Sequence, residues 1–149
     1  MEKIIYLISR QNEQNRDDFA TLMKQAIAPQ LLATKPLGLQ LNIVDETVAA
    51  GDAMAMESIA LKTDAVVSVW LDSSINRSPI EKILAACEAS FAGYLVSESC
   101  PLRNTTKTAS TEGRTPGFAQ VALLQKPIRL SVEEWITIWQ YSHTQIAID

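Results

Sequence analysis

Asp64-Ala65-Val66-Val67-Ser68-Val69-Trp70-Leu71 is a nearly unbroken run of β-branched and aromatic residues, the pattern of a strand covered on both faces. Its place in the chain decides the fold. Just upstream, Leu39 to Val44 alternates Leu39, Leu41 and Ile43 with Gln40 and Asn42, which reads as a strand with one wet face. Between the two, Asp45 to Thr63 has an Ala/Met-rich centre with no clear period and carries Gly51, so it reads as a long irregular connection. Two strands with no full helix between them make a β-β step. Before that step, Lys3 to Ser9 is a further strand. The spacing of Phe19, Leu22, Met23, Ala26, Ile27 and Leu31 predicts a helix over Arg16 to Ala33, capped by Asn15 and interrupted near Ala28 by Pro29. After the step, Ser78-Pro79 opens a helix predicted to run from Pro79 to Phe91 and to close at Gly93, followed by a strand from Tyr94 to Ser99. The order is β-α-β-β-α-β. It predicts an α+β, ferredoxin-like unit over residues 1–100: an antiparallel sheet with two helices on one face and the other face left for partners or ligands.

Residues 101–116 are rich in Thr, Ser, Arg and Lys and read as a linker loop. Beyond them, Gly117 to Gln125 has the pattern of a strand, and Ser131 to Asp149 that of a helix, with Ser131 and Glu134 spaced as a capping box. This segment aligns with the start of the chain. Leu7 and Ile8 meet Leu123 and Leu124, Asp18-Phe19 meets Glu134-Trp135, and Leu22 and Met23 meet Ile138 and Trp139. Residues 117–149 are therefore predicted to be the first β-α of a second, incomplete unit, either cut from a longer two-unit protein or completed by another copy. Unfinished sheets leave strand edges that proteins cover or pair. A homodimer or swapped oligomer is the expected state.

At 149 residues, 47% of them hydrophobic, the chain has material for a core, and its net charge is -4. Lys and Arg are scattered singly, so no basic stripe of the kind that tracks nucleic acid is present. No apolar run approaches the ~20 residues that span a bilayer, and Met1-Glu2-Lys3 with its short apolar sequel is not a signal peptide. The expectations are a cytoplasmic protein with no nucleic-acid and no membrane partner. Cys87 and Cys100 lack metal-ligand spacing, and Cys87 and Trp70 read as core residues. Tyr6 and Tyr94 fall on strands, where a buried hydroxyl needs a partner and one on the open face could polarise a carbonyl.

Several stretches together carry a family resemblance: K-I-I-Y-L-I-S-R, D-A-V-V-S-V-W-L-D, G-Y-L-V-S-E-S-C-P-L, R-T-P-G-F-A-Q-V-A-L-L and E-E-W-I-T-I-W-Q-Y-S-H-T. The chain resembles EthD-domain proteins of the dimeric α/β-barrel superfamily. Their motif is a helix bearing an aromatic, a second aromatic one turn on and a histidine one turn beyond, which Trp135, Trp139 and His143 match. The position equivalent to His143 in the first unit is Ile27, and Thr144-Gln145 stands where the family commonly has Gly-Pro. The resemblance implies two sheets packed face to face around a pocket. Relatives include cofactor-free monooxygenases, isomerases, polyketide dehydratases and cyclases, and haem-degrading enzymes.

Trp135, Trp139 and His143 recur at i, i+4 and i+8, on one face of an α-helix. His143, the single histidine, titrates near neutrality and has the chemistry of a general acid or base toward a small enolisable substrate. Trp135 and Trp139 would then wall an apolar substrate site. The competing reading places all three in a core or interface of a non-catalytic small-molecule-binding or self-associating protein. No cofactor is expected. Haem on His143 is the minor alternative.

Overall fold

The computed structural model describes residues 1–54, 62–100, 104–105 and 113–143, with His143 described by its backbone alone. The chain divides into two compact units, Met1–Ser97 and Glu98–Asp149. The first is the ferredoxin-like α+β unit. Its elements are β1 (Glu2–Ser9), α1 (Arg16–Leu22) continuing into α2 (Ala28–Ala33), β2 (Gly38–Ile43), β3 (Ala65–Leu71), α3 (Ser78–Ala85) and β4 (Ser90–Val96). The sheet order is β2-β3-β1-β4 and every pairing is antiparallel. No helix among the described residues is long and apolar enough to cross a membrane.

β1 and β3 are the two central strands, as their unbroken apolar runs require. Strand side chains alternate between faces, so the registers assign each residue a side. Ile4, Tyr6 and Ile8 of β1 and Ala65, Val67, Val69 and Leu71 of β3 point toward the helices. There they join Phe19, Met23, Ile27 and Leu31 from the first helix and Ile80 and Leu84 from α3 in one core.

The first helix covers its expected range, with one change of winding. Asn15 Oδ1 accepts from the backbone N–H groups of Asp17 at 2.7 Å and Asp18 at 3.4 Å, which fixes the start. Met23–Ile27 is wound as a π turn, with the Ala28 N–H donating to the Met23 carbonyl. Pro29 has no N–H to continue α-helical bonding, and the π turn absorbs the break without ending the helix.

The second helix is shorter than its sequence pattern. α3 ends at Ala85, Glu88 takes a positive φ of 55°, and β4 begins at Ser90. Phe91 and Gly93 therefore lie in a strand, not at a helix end. The reason is non-local. Gly93 faces Tyr6 across the ladder, and a Cβ there would stand 2.7 Å from Tyr6 Cε1. Phe91 meets the same ring edge to face, with centroids 6.0 Å apart. The start differs as well: Ser73, not Ser78, supplies a side-chain cap, accepting from the Ile75 N–H ahead of the 3₁₀ turn Ser74–Arg77 that leads into α3.

The second unit contains α4 (Val132–Thr137), which passes into π winding over Ile138–His143. Gly117–Gln125 is not a strand: it makes no ladder with any described residue. A strand-like sequence supplies propensity, but the strand itself exists only when another strand bonds to it. None of the described side chains from 113 to 142 is buried.

Two stability predictions follow from the Tyr6 environment. Tyr6 is fully buried and cannot yield, so Gly93→Ala is expected to cost about 1–3 kcal/mol in urea unfolding. Tyr6 Oη is buried without a hydrogen bond, and burial, aided by the Glu81 charge, pushes its pKa up to about 12 from 10.0. A raised phenol pKa stabilises the protonated folded state. The contribution is complete below pH 10 and lost as pH climbs through about 12. Tyr6→Phe should leave neutral-pH stability equal or slightly higher, because it removes an unsatisfied hydroxyl. It should also flatten the alkaline loss, read by unfolding at stepped pH.

Candidate functional site

Two places carry the side chains from which a function can be built, one in each unit.

In the second unit the capping box forms as its spacing predicts. Ser131 Oγ accepts from the Glu134 N–H at 3.1 Å, and the Ser131 N–H donates to Glu134 Oε2 at 2.8 Å. The backbone N–H of Ser131 holds the Glu134 carboxyl below its usual range. Trp135 and Trp139 meet edge to face, with centroids 5.5 Å apart and planes at 77°, and both remain partly exposed. Tyr141, further along the same helix, is exposed. The passage from α to π winding at Ile138 changes the geometry of the expected stripe. A π turn takes more residues than an α turn, so positions four apart no longer stack as they do in an α-helix. His143 ends the π stretch by its backbone, and its side chain, like Thr144 to Asp149, lies outside the described residues. The two indoles come together, then, and the acid/base group predicted beside them is placed only as the residue one helical step further on.

This helix also resembles the first. Asn15 and Ser131 each cap by accepting a helix N–H, and α winding gives way to π winding after seven residues in one and six in the other. Phe19 and Met23, the counterparts of Trp135 and Trp139, are fully buried core residues.

In the first unit the helix-free face of the sheet is the second candidate. Trp70 lies here and not in the core. Gly38, its ladder partner, has no side chain, and the indole fills that space: a Cβ on Gly38 would stand 3.1 Å from the ring. Lys3, the partner on the other side, places Nζ 4.3 Å from the indole centroid, a cation–π contact. Ile5, Leu7, Val66 and Ser68 continue the face through its centre, with Leu7 and Val66 buried. Tyr94 projects from β4 on the same side at 52% exposure. No Asp or Glu of the four strands faces this way. The sequence assigned Trp70 to the core because a buried-type strand does not say which face a residue takes. The small residue at Gly38 is the signal that marks it.

The corner where β1 meets α1 holds the buried charge of the unit. Asp64 accepts from the Arg10 backbone N–H at 3.1 Å and from Nε at 3.0 Å, and Lys24 Nζ reaches Asp45 at 2.7 Å. Both carboxylates are buried and cation-paired, which makes them structural anchors of the β2–β3 connection. Sequence reading gave Asp45 only a loop role and missed Asp64 and Arg10. Among the described residues no cluster of three or more His, Cys, Asp or Glu is placed to hold a metal ion. Cys87 sits in the turn after α3, with Sγ 2.7 Å from the Leu84 carbonyl. A cavity of about 270 Å³ lies between the α2–β2 turn and the start of α3, bordered by Lys35, Leu37, Leu71, Asp72 and Ile80. It contains none of the site residues predicted from sequence.

No protein-family model matches the chain, and no curated protein matches it. The class rests on the fold: a ferredoxin-like α+β protein with a C-terminal helix.

The capping box gives a direct check on the C-terminal site. Glu134 has a lowered pKa, so its contribution is present above its ordinary value of 4.5 and fades as pH falls through the lowered folded value. Amide exchange across 132–137 should rise on acidification below that value. Ser131→Ala should raise it already at pH 7 and remove most of the acid dependence.

Proposed function

We propose that this is a self-associating protein of the dimeric α/β-barrel kind, in which the helix-free sheet face of one copy packs on that of a second. The observation that carries the reading is the chemistry of that face. Ile5, Trp70 and Tyr94 are partly exposed on that face over the buried Leu7, Val66 and Ser68, its polar members are Gln40 and Asn42 on the β2 edge, and Lys3, the one charge, already lies over an indole. In a chain of net charge -4, two identical acidic surfaces would repel. An acid-free apolar face is the one a second copy can meet without that cost. Sheets packing face to face interleave such side chains at about 10 Å separation. The resemblance to EthD-domain proteins supports the same pairing, because their barrel is built this way. The likeness between the C-terminal helix and the first one supports an internal repeat within it.

A second reading has its own support in the paired, partly exposed indoles of α4. Trp135 and Trp139 offer an apolar wall for a small hydrophobic or aromatic molecule, and His143 would act on it as general acid or base. On this reading the chain is a cofactor-independent enzyme, or an accessory to one, of oxidoreductase, isomerase or dehydratase type.

Sedimentation velocity separates the readings. Self-association through the face predicts a concentration-dependent dimer at micromolar protein. Tyr94→Lys, at an exposed edge position, should shift it to monomer while leaving unfolding behaviour intact. A monomer at every concentration removes the proposal. The catalytic reading is tested by His143→Ala against any substrate found: unchanged turnover with the fold intact excludes it.

A further inference from the structure

The connection that leaves β2 is held in an unusual way. Residues 46–54 wind as a nine-residue 3₁₀ stretch and bury no side chain. Runs of 3₁₀ longer than about four residues are poorly supported by their own hydrogen bonds. Neither the core nor good helical geometry fixes this segment against the unit.

Charge does. Arg16 Nη2 donates to Asp52 Oδ2 at 2.9 Å, and its Nε lies 4.0 Å from Glu46 Oε1. The Glu46 N–H donates to Asp17 Oδ1 at 3.2 Å. Behind this outer layer, Lys24 grips the buried Asp45 where the segment starts. Arg16 is itself out of place by local rules. It is the first residue of α1, where the helix dipole favours anions and disfavours a guanidinium. Its side chain is only 19% exposed, against 49% for Asp52 and 63% for Glu46. A cation kept at a position unfavourable to its own helix, and turned onto two acids of a segment that buries no side chain, is accounted for by holding that segment.

We infer that residues 46–54 form an electrostatically latched strap, with Arg16 as the latch, released from the start of α1 when ionic strength rises. Asp45, buried on Lys24, remains the hinge-side anchor. Screening weakens exposed pairs such as Arg16–Asp52 and Arg16–Glu46 far more than the buried one. Release frees the Arg16 guanidinium, so the strap also sets when that cation is available to an anionic group from outside. This inference concerns the first unit alone and is independent of how copies associate.

Amide hydrogen exchange on the full chain, resolved by peptide at fixed pH, tests it. In the wild type, raising NaCl from about 0.05 M to about 0.5 M, which shortens the screening length well below 10 Å, should speed exchange in 46–54 and leave β1 and β3 unchanged. Arg16→Gln should speed the same peptides roughly fivefold at low salt, the range of a partly exposed ion pair, and make them insensitive to further salt. Asp52→Asn should reproduce the direction with a smaller effect. Exchange in 46–54 that ignores salt in the wild type overturns the inference, as does an Arg16→Gln variant in which the sheet peptides accelerate in step with the strap.

Discussion

The packing of Tyr6 is the contact on which the first unit depends. Its ring occupies the place where a side chain on Gly93 would be, meets Phe91 edge to face and closes the core over β1. That contact holds β4 against β1, which pairs on its other side with β3. The cost is a buried hydroxyl without a hydrogen bond, tolerated because the aromatic surface it brings inside is large. The helices then cover a surface already defined: Phe19, Met23 and Ile27 from one, Ile80 and Leu84 from the other.

With one face sealed by helices, the two units differ in how they meet water. In the first, the remaining sheet face is apolar at its centre and carries Trp70 on a glycine ledge. In the second, Phe118, Leu124 and Ile128 stand exposed, and the two tryptophans shield chiefly each other. Large apolar patches on folded proteins mark interaction surfaces. On the open sheet face of the first unit, Trp70 and Tyr94 are the large side chains that reach water, above a centre that is already buried.

Much of this was legible in the sequence, and the failures share a cause. Asn15 and the spacing of Phe19 to Leu31 define the first helix because caps and helical periods are local, and Pro29 marks its interruption for the same reason. That the interruption takes the form of a π turn depends on how the core holds both halves in line. The stretch Ala86 to Gly93 satisfies helical spacing and strand alternation alike, and only the approach of Tyr6 to Gly93 decides between them. Trp70 was placed on the wrong face because the choice rests with Gly38 on a neighbouring strand. The pattern of Gly117–Gln125 is that of a strand, yet a pattern cannot supply the partner that a ladder needs. In the candidate site the capping box and the tryptophan pair were readable from spacing. The open sheet face was foreseen only as a place for partners, without its residues, because which side chains share a face follows from ladder register.

The central claim is that the sheet face meets its counterpart on a second copy. Isotope-filtered NMR on a mixture of labelled and unlabelled chains tests it most directly, because it reports contacts between copies alone. The expected result is intermolecular cross-peaks from the Trp70 and Tyr94 rings to the methyl groups of Ile5 and Val66. Intermolecular contacts confined to residues 117–141, with the sheet face silent, would contradict it.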